Sequence, residues 1–578
     1  MKKGIETMGY IHFKSFYDKY PVIQMKESNG SVFKDTPSIL KELSRVQEGV
    51  IVFETYPGVD LERLNQDIIS KLNVTKLVNI ETYAKSEKTI DKMLEKNLTQ
   101  DRVFGLYAHH QIEDFYEMDQ ILKLRNDLFN KKGLTVVYGF GASLIKADVL
   151  IFVSITRWEI QLRYRKGLTN FQSKNSDEDI LRKYKRGYFV EWRVADRIKE
   201  NNIQSMNYLI DYNDIDHPKM IDYIAYENSL NQLTNRPFRM VPYFDPGIWG
   251  GQWMKEVCNL DPKEQNYAWS FDGVPEENSI RLGFDDTFIE IPAQDLVQFR
   301  PKELMGARVY GRFGKKFPIR FDLLDTMEGG NLSLQVHPLT EYIQDQFGMT
   351  YTQDESYYIL DTKDDGTVYL GFKDSVSQDA FEKDLISAES GEKMFDADKY
   401  VNVFPAKKHD HFLIPAGTIH CSGKNTMVLE ISACVYIFTF KLWDWGRQGL
   451  DGRPRPVHLE HGFKALQYDR NTEWVENQLI NRIEKISDYE EITGLHETEF
   501  LETRRYTFDD AVDIKTFGSV NMANLVDGQK ALITSIDGSF DDYEIHYAET
   551  FVVPSTIETF RVKCLDQQGC KLIKAHVR

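Results

Sequence analysis

Two hydrophobic patterns that no single core can serve share this chain, and the change from one to the other after Asn213 limits what it can fold into. Between about residues 49 and 211, short apolar runs at 49–54, 76–80, 103–109, 134–138 and 148–155 read as strands, separated by amphipathic stretches such as 60–72 and 113–129. That alternation predicts a parallel sheet with helices on both faces. From Tyr243 onward the sequence is rich in Gly, Pro and aromatic residues and breaks into many short runs at turn signals, the pattern of antiparallel barrels or jelly rolls. Helical patterning returns locally at 340–348, 377–388 and 473–486; after Tyr506 short strands resume, for example at 529–536, 543–546 and 550–553. No short fixed period is visible, which argues against a solenoid or propeller. The 578 residues exceed what one core supports, so several domains are expected.

Charge removes one large class of function. A formal charge of -18 is the wrong sign for a surface that neutralises many phosphates, so nucleic-acid partners are excluded, while a small anion held by one or two local cations is not. Five cysteines (Cys258, Cys421, Cys434, Cys564, Cys570), scattered without CxxC spacing, predict reduced thiols in a reducing compartment. The first 13 residues hold two lysines but no apolar signal core, and the longest apolar run, near 149–155, is far too short for a bilayer. The expectation is a cytoplasmic protein with no membrane partner; the oligomeric state is left open.

The chemistry concentrates in three segments. Residues 332–338 read Leu-Ser-Leu-Gln-Val-His-Pro, and in a strand Gln335 and His337 share a face because side chains alternate with period two. Downstream, Glu355 opens another strand-like run, and 412–420 reads Phe-Leu-Ile-Pro-Ala-Gly-Thr-Ile-His, a strand, a Pro-Gly turn and a returning His420. An amide oxygen, a carboxylate and two imidazoles suit a borderline divalent metal such as zinc with a position left for substrate. His409 and His411, just before this segment, could titrate near neutrality, but they read first as part of a polar loop.

These motifs resemble the class I (cupin-type) mannose-6-phosphate isomerase family over roughly residues 237–578. Pro242-Tyr-Phe-Asp-Pro-Gly-Ile-Trp-Gly-Gly251 looks like that family's opening segment, Gln335-Val-His-Pro338 and Pro415-Ala-Gly-Thr-Ile-His420 like its metal motifs, and Val428-Leu-Glu-Ile431 like the strand that carries a further active-site carboxylate, Glu430. Lys441-Leu-Trp-Asp-Trp-Gly-Arg447 with Gly452-Arg-Pro-Arg455 resembles its following segment. The resemblance implies a zinc-dependent interconversion of mannose 6-phosphate and fructose 6-phosphate. It implies Gln335, His337, Glu355 and His420 as ligands, and Glu430, Lys441 and Arg447 as the residues acting on a sugar phosphate.

The chain departs from that family at its cations. Gln353 stands where a lysine usually precedes the metal glutamate, Asp322 stands at another lysine position with Arg320 two residues earlier, and the family's arginine falls on Lys441 or Phe440. Lysine cannot reproduce a two-pronged guanidinium contact. Arg320, Lys441, Arg447 and Arg455 are the available substitutes. A non-catalytic, metal-containing sugar sensor is therefore the rival reading, and a bifunctional kinase and isomerase a third.

The reading divides the chain into an α/β domain at 1–230, a metal-binding barrel with a helical insertion at 231–470, and a second cupin-like β domain without ligands at 471–578. Residues 134–165, including Arg157-Trp-Glu-Ile-Gln-Leu-Arg163, faintly resemble uridine-kinase-like folds. The first strand nevertheless leads into Glu54-Thr-Tyr-Pro-Gly58 and not into a Walker A loop, and the one glycine pair, Gly139-Phe-Gly141, follows a later strand. The expected role is docking, regulation or a purely structural extension.

Overall fold

The computed structural model describes residues 9–27, 29–128, 132–433, 436, 438–449, 455–494, 496 and 498–578. Cys434, Phe129 and residues 452–454 of the Gly452–Arg455 motif lie outside this set, as do the first eight residues. The chain forms two compact units, one of residues 22–232 with 279–299, the other of residues 1–21, 233–278 and 300–578.

The N-terminal unit is built on a seven-stranded sheet in the order Val32–Phe33, Lys219–Asp222, Tyr208–Asp211, Val149–Ser154, Gly49–Thr55, Leu134–Gly139, Lys76–Asn79. The last five are mutually parallel, and Lys219–Asp222 joins antiparallel. Every residue of Leu134–Gly139 is buried, as a strand covered on both faces must be. The run at 103–109 is not a strand. Its backbone bonds reach Asn97 through Leu106 N and Phe189 through Ala108 N, so it is extended and packed without joining the ladder. The stretch 60–72 divides into the helix Leu61–Asp67 and a 3₁₀ turn at Ile69–Lys71, and 113–129 contributes the helix Met118–Leu128.

The second unit carries antiparallel sheets. One has the order His411–Ile414, Asp354–Thr362, Thr426–Ala433, Arg320–Asp325, Trp269–Gly273, Tyr243–Asp245; its partner runs Val401–Pro405, Thr367–Phe372, His420–Ser422, Leu334–Val336, Phe440–Trp443. The helices Thr340–Phe347 and Gln378–Glu389 fall where patterning placed them. The stretch 473–486 is helical only over Thr472–Gln478, and Glu484–Lys485 pairs as a short strand with the segment that follows.

Two further antiparallel sheets, of six and four strands, complete the C-terminal region around a core that includes Tyr506, Ile514, Leu525, Phe551 and Phe560. The strand Cys570–Val577 holds a fully buried lysine, Lys574, whose ammonium donates to the Lys515 carbonyl at 2.7 Å. Burial, with nearby Arg504, pushes Lys574 down to about 7. Since an unfolded lysine titrates near ~10.4, the unfolded state binds the extra proton between the two values, and stability rises with pH across that window by up to about 1.4 kcal/mol per unit. Urea unfolding between pH 7 and 10 is expected to show this slope in the native chain and to lose it in Lys574→Met; an unchanged slope in the variant would contradict the assignment.

Candidate metal centre

Local sequence sets each ligand segment and backbone hydrogen bonds tie the segments together. Gln335 lies in Leu334–Val336 directly opposite His420 on one side and Lys441 on the other, so the three side chains project from the same face of their sheet. Between His411–Ile414 and His420–Ser422 the chain turns at Pro415-Ala-Gly417. Gly417 sits at φ 92°, and a Cβ there would come within 2.7 Å of the Gln467 side chain. The Gly417 amide donates to the His337 carbonyl at 2.9 Å, and the Ala416 amide to Asp354 Oδ1 at 2.8 Å, beside Glu355. The turn thus fixes the separation of all three segments.

Four side chains converge as a result. His420 Nε2 lies 2.8 Å from Glu355 Oε1, His337 Nε2 lies 3.1 Å from Glu355 Oε2, and the Gln335 amide reaches His420 Nε2 at 3.2 Å. His337, Glu355 and His420 are at most 1% exposed, and one ligand atom from each falls within 4.8 Å of the others. The outer nitrogens define the tautomers: His337 Nδ1 faces the Phe438 carbonyl at 3.0 Å and His420 Nδ1 the Thr418 carbonyl at 2.8 Å. With both Nδ1 protons donated outward, each Nε2 turns its lone pair toward the Glu355 oxygens. His337 Nε2 and Glu355 Oε1 have no hydrogen-bond partner despite complete burial. Lone pairs facing one another in a dry interior repel; a cation between them removes the conflict, and such outward histidine bonds are how metal ligands are oriented. The donor set fits a divalent metal.

Without a cation, a proton on imidazole relieves the same conflict by making an ion pair with Glu355. Burial works against the carboxylate of Glu355, yet His337 and His420 hold it well below the usual range. Burial opposes protonation of His337, and the facing Glu355 nevertheless raises it.

Around this cluster the neighbouring strand in the opposite sheet adds acidic groups. Glu430 is in register with Asp322 on one side and Tyr357 on the other. Its Oε1 accepts from the Ser432 hydroxyl at 2.9 Å and lies 3.4 Å from Gln353 Nε2, which also donates to Glu355 Oε2 at 3.0 Å. Burial and the charges of Glu355 and Asp322 push Glu430 well above the carboxylate range, and burial raises Asp322 to about 6. Arg320 forms an ion pair with Asp322 at 2.5 Å and lies over the Phe271 ring at 4.8 Å. Gln353 therefore supports Glu355 in place of a cation. Tyr357 and Ser432, which sequence reasoning did not single out, enter through cross-strand register, a relation that motif spacing does not carry.

The remaining sequence candidates have partners of their own. Arg447 donates to Asp444 Oδ1 at 2.7 Å, and Arg455 meets the same carboxylate at 3.4 Å and the Ser333 hydroxyl at 3.2 Å. His411 stands opposite Tyr358, one residue out of phase with Glu355 and Tyr357, and so faces away from the cluster; burial pushes it down to about 3. His409 contacts Tyr358 Oη at 3.0 Å and Asp527 at 3.4 Å.

Fold and site together define a class: antiparallel β-sheets that carry a buried His-Glu-His cluster able to hold a metal ion, with Gln335 beside it. In sequence the chain is homologous to mannose-6-phosphate isomerases. It is 24% identical over 237 residues to mannose-6-phosphate isomerase ManA of Bacillus subtilis, covering 41% of this chain and 69% of that protein, and 22% identical over 320 residues to mannose-6-phosphate isomerase of Streptococcus mutans, covering 54% and 91%. The crystal structure of mannose 6-phosphate isomerase from Bacillus subtilis superposes with a TM-score of 0.48 at 18% identity, covering 59% of this chain and 99% of that one. Residues 35–235 match a family described as a domain of unknown function (DUF8485). Among the described residues no helix is long and apolar enough to cross a membrane.

Proposed function

We propose that this chain is a zinc-dependent aldose–ketose isomerase that interconverts mannose 6-phosphate and fructose 6-phosphate. The observation that carries the reading is the convergence of two imidazole lone pairs and a carboxylate in a dry barrel, in a chain homologous to proteins named for that reaction. Gln335, His337, Glu355 and His420 would hold the ion. When bound, it would supply Lewis acidity toward the sugar oxygens on which negative charge develops. Glu430 is the proton carrier in this reading: the positive charge of a bound ion would offset the burial and the acidic neighbours that raise it, and as a carboxylate it would take the C2 proton of the aldose to leave a cis-enediol and return it to C1 of the ketose, while the hydroxyl proton moves from O2 to O1. Lys441, on the sheet face of Gln335, supplies positive charge to the substrate, and Arg447 with Arg455, both bonded to Asp444, adds to it. The second reading, a non-catalytic sugar sensor, is favoured by one feature: Arg320, close to Glu430, is already neutralised by Asp322.

Mannose 6-phosphate turnover by the full chain, followed by coupling fructose 6-phosphate to a dehydrogenase, separates the two. The isomerase reading expects kcat/KM of at least about 10⁴ M⁻¹s⁻¹, the lower end for ordinary enzymes. Metal-loaded protein that binds the sugar phosphate without converting it is a sensor.

A further inference from the structure

We propose that the N-terminal unit contains a binding site for a neutral polyhydroxylated small molecule, a free sugar or the sugar ring of a nucleoside, in the cavity at the carboxyl ends of its parallel strands. The cavity measures about 640 Å³, within the range of small-molecule sites. Its position follows from topology. From Gly49–Thr55 the chain moves outward to Lys76–Asn79, returns to Leu134–Gly139, then crosses to Val149–Ser154 on the other side. Open parallel sheets hold ligands in the crevice where strand order reverses in this way.

The walls favour a sugar. Phe140 and Phe171, with ring centroids 5.1 Å apart, give an aromatic wall suited to the C–H face of a pyranose or ribose. Beside them are oxygen and amide groups already held in place. Glu191, 1% exposed, takes Asn170 Nδ2 at 3.0 Å on one oxygen and Arg186 Nε at 2.9 Å and the Phe171 amide at 3.1 Å on the other. Glu81 accepts from the Phe140 amide at 3.0 Å, and Gln172 donates to the Glu81 carbonyl at 3.1 Å. Carboxylates and amides fixed in this way recognise adjacent hydroxyls without ordering new side chains.

The same cavity is unsuited to a phosphate. Two backbone features could hold one, and a carboxylate of the chain occupies each. Asp60 caps the helix after the first strand, accepting from the Arg63 amide at 3.0 Å. Glu54 accepts from the Gly141 and Ser143 amides, both at 2.7 Å, at the left-handed Gly139-Phe-Gly141 turn. Of the acidic lining residues Glu191 is paired with Arg186, and Glu81 and Glu87 balance Lys88 and Lys174, so the walls offer an anion no excess of positive charge.

Calorimetry and thermal melting of the full chain with mannose, adenosine, ATP and inorganic phosphate test this. Mannose or adenosine is expected to bind, with a shift of about 5 °C or more at 100-fold excess over Kd; whichever binds identifies the free sugar or the nucleoside as the source. ATP and phosphate are expected to leave the melting of this unit unmoved. Glu81→Gln, which keeps an acceptor for the Phe140 amide, should weaken binding at least tenfold. Thr169→Trp, introduced on the exposed rim, should abolish it. His420→Ala, altered only in the metal barrel, should bind as the native chain does. Failure of both neutral probes to bind, binding that survives Thr169→Trp or disappears in His420→Ala, or ATP binding more tightly than adenosine would each overturn the proposal.

Discussion

His420→Ala is expected to lose its bound metal and to lower kcat/KM for mannose 6-phosphate by at least about 10³-fold, because Lewis-acid stabilisation contributes several kcal/mol to a barrier and ~4 kcal/mol corresponds to that factor. His420 does little else in the fold. Its ring lies in a dry interior with Nδ1 on the Thr418 carbonyl and Nε2 2.8 Å from Glu355. Alanine leaves the turn at Pro415–Gly417 intact, since the bonds from the Gly417 and Ala416 amides do not involve the imidazole. Chelation of the native protein should give the same loss and re-addition of zinc should restore it, whereas the variant should stay inactive at any zinc concentration that leaves the protein soluble. Metal content by elemental analysis is the deciding measurement. A variant that keeps one ion per chain would remove His420 from the ligand set.

Much of this centre was legible in the sequence, because its signals are short-range. Period-two alternation is enough to put Gln335 and His337 on one face, and Pro-Ala-Gly-Thr-Ile-His describes a turn whose geometry depends on a glycine at positive φ. The start of the Asp354–Thr362 strand follows from the same kind of local pattern. What could not be read depends on partners distant in sequence. Residues 279–299 look like more of the β-rich half, yet they join the N-terminal unit, where Glu290 donates its amide to Asp211 at 2.8 Å and Asp295 pairs with Lys199 at 2.6 Å. The run at 103–109 has strand composition, but its backbone bonds go to Asn97 and Phe189, and composition does not report such a choice. Arg447 looks available to a phosphate in sequence; Asp444, three residues earlier, already holds it.

Glu430→Gln is expected to reduce kcat by about 10²- to 10⁴-fold, the usual contribution of a positioned acid or base, with metal content and KM nearly unchanged. Glutamine keeps the length of the side chain and a carbonyl to accept from Ser432, so the groups now at 2.9 and 3.4 Å from Oε1 retain their places. Proton carriage alone is removed. Folding should not suffer, since burial and the charges of Glu355 and Asp322 already favour the neutral form of Glu430, and glutamine is a neutral side chain of the same shape that cannot ionise among them. The melting temperature of the variant is therefore expected to equal or exceed that of the native chain. This pairing of a large fall in kcat with unimpaired stability distinguishes a proton carrier from a residue that only braces the strand, which would lower both. If Glu430→Gln keeps more than about a tenth of native kcat while Lys441→Met loses most of it, proton transfer belongs to the lysine opposite Gln335, and Glu430 serves to orient the Ser432 and Gln353 side chains around Glu355.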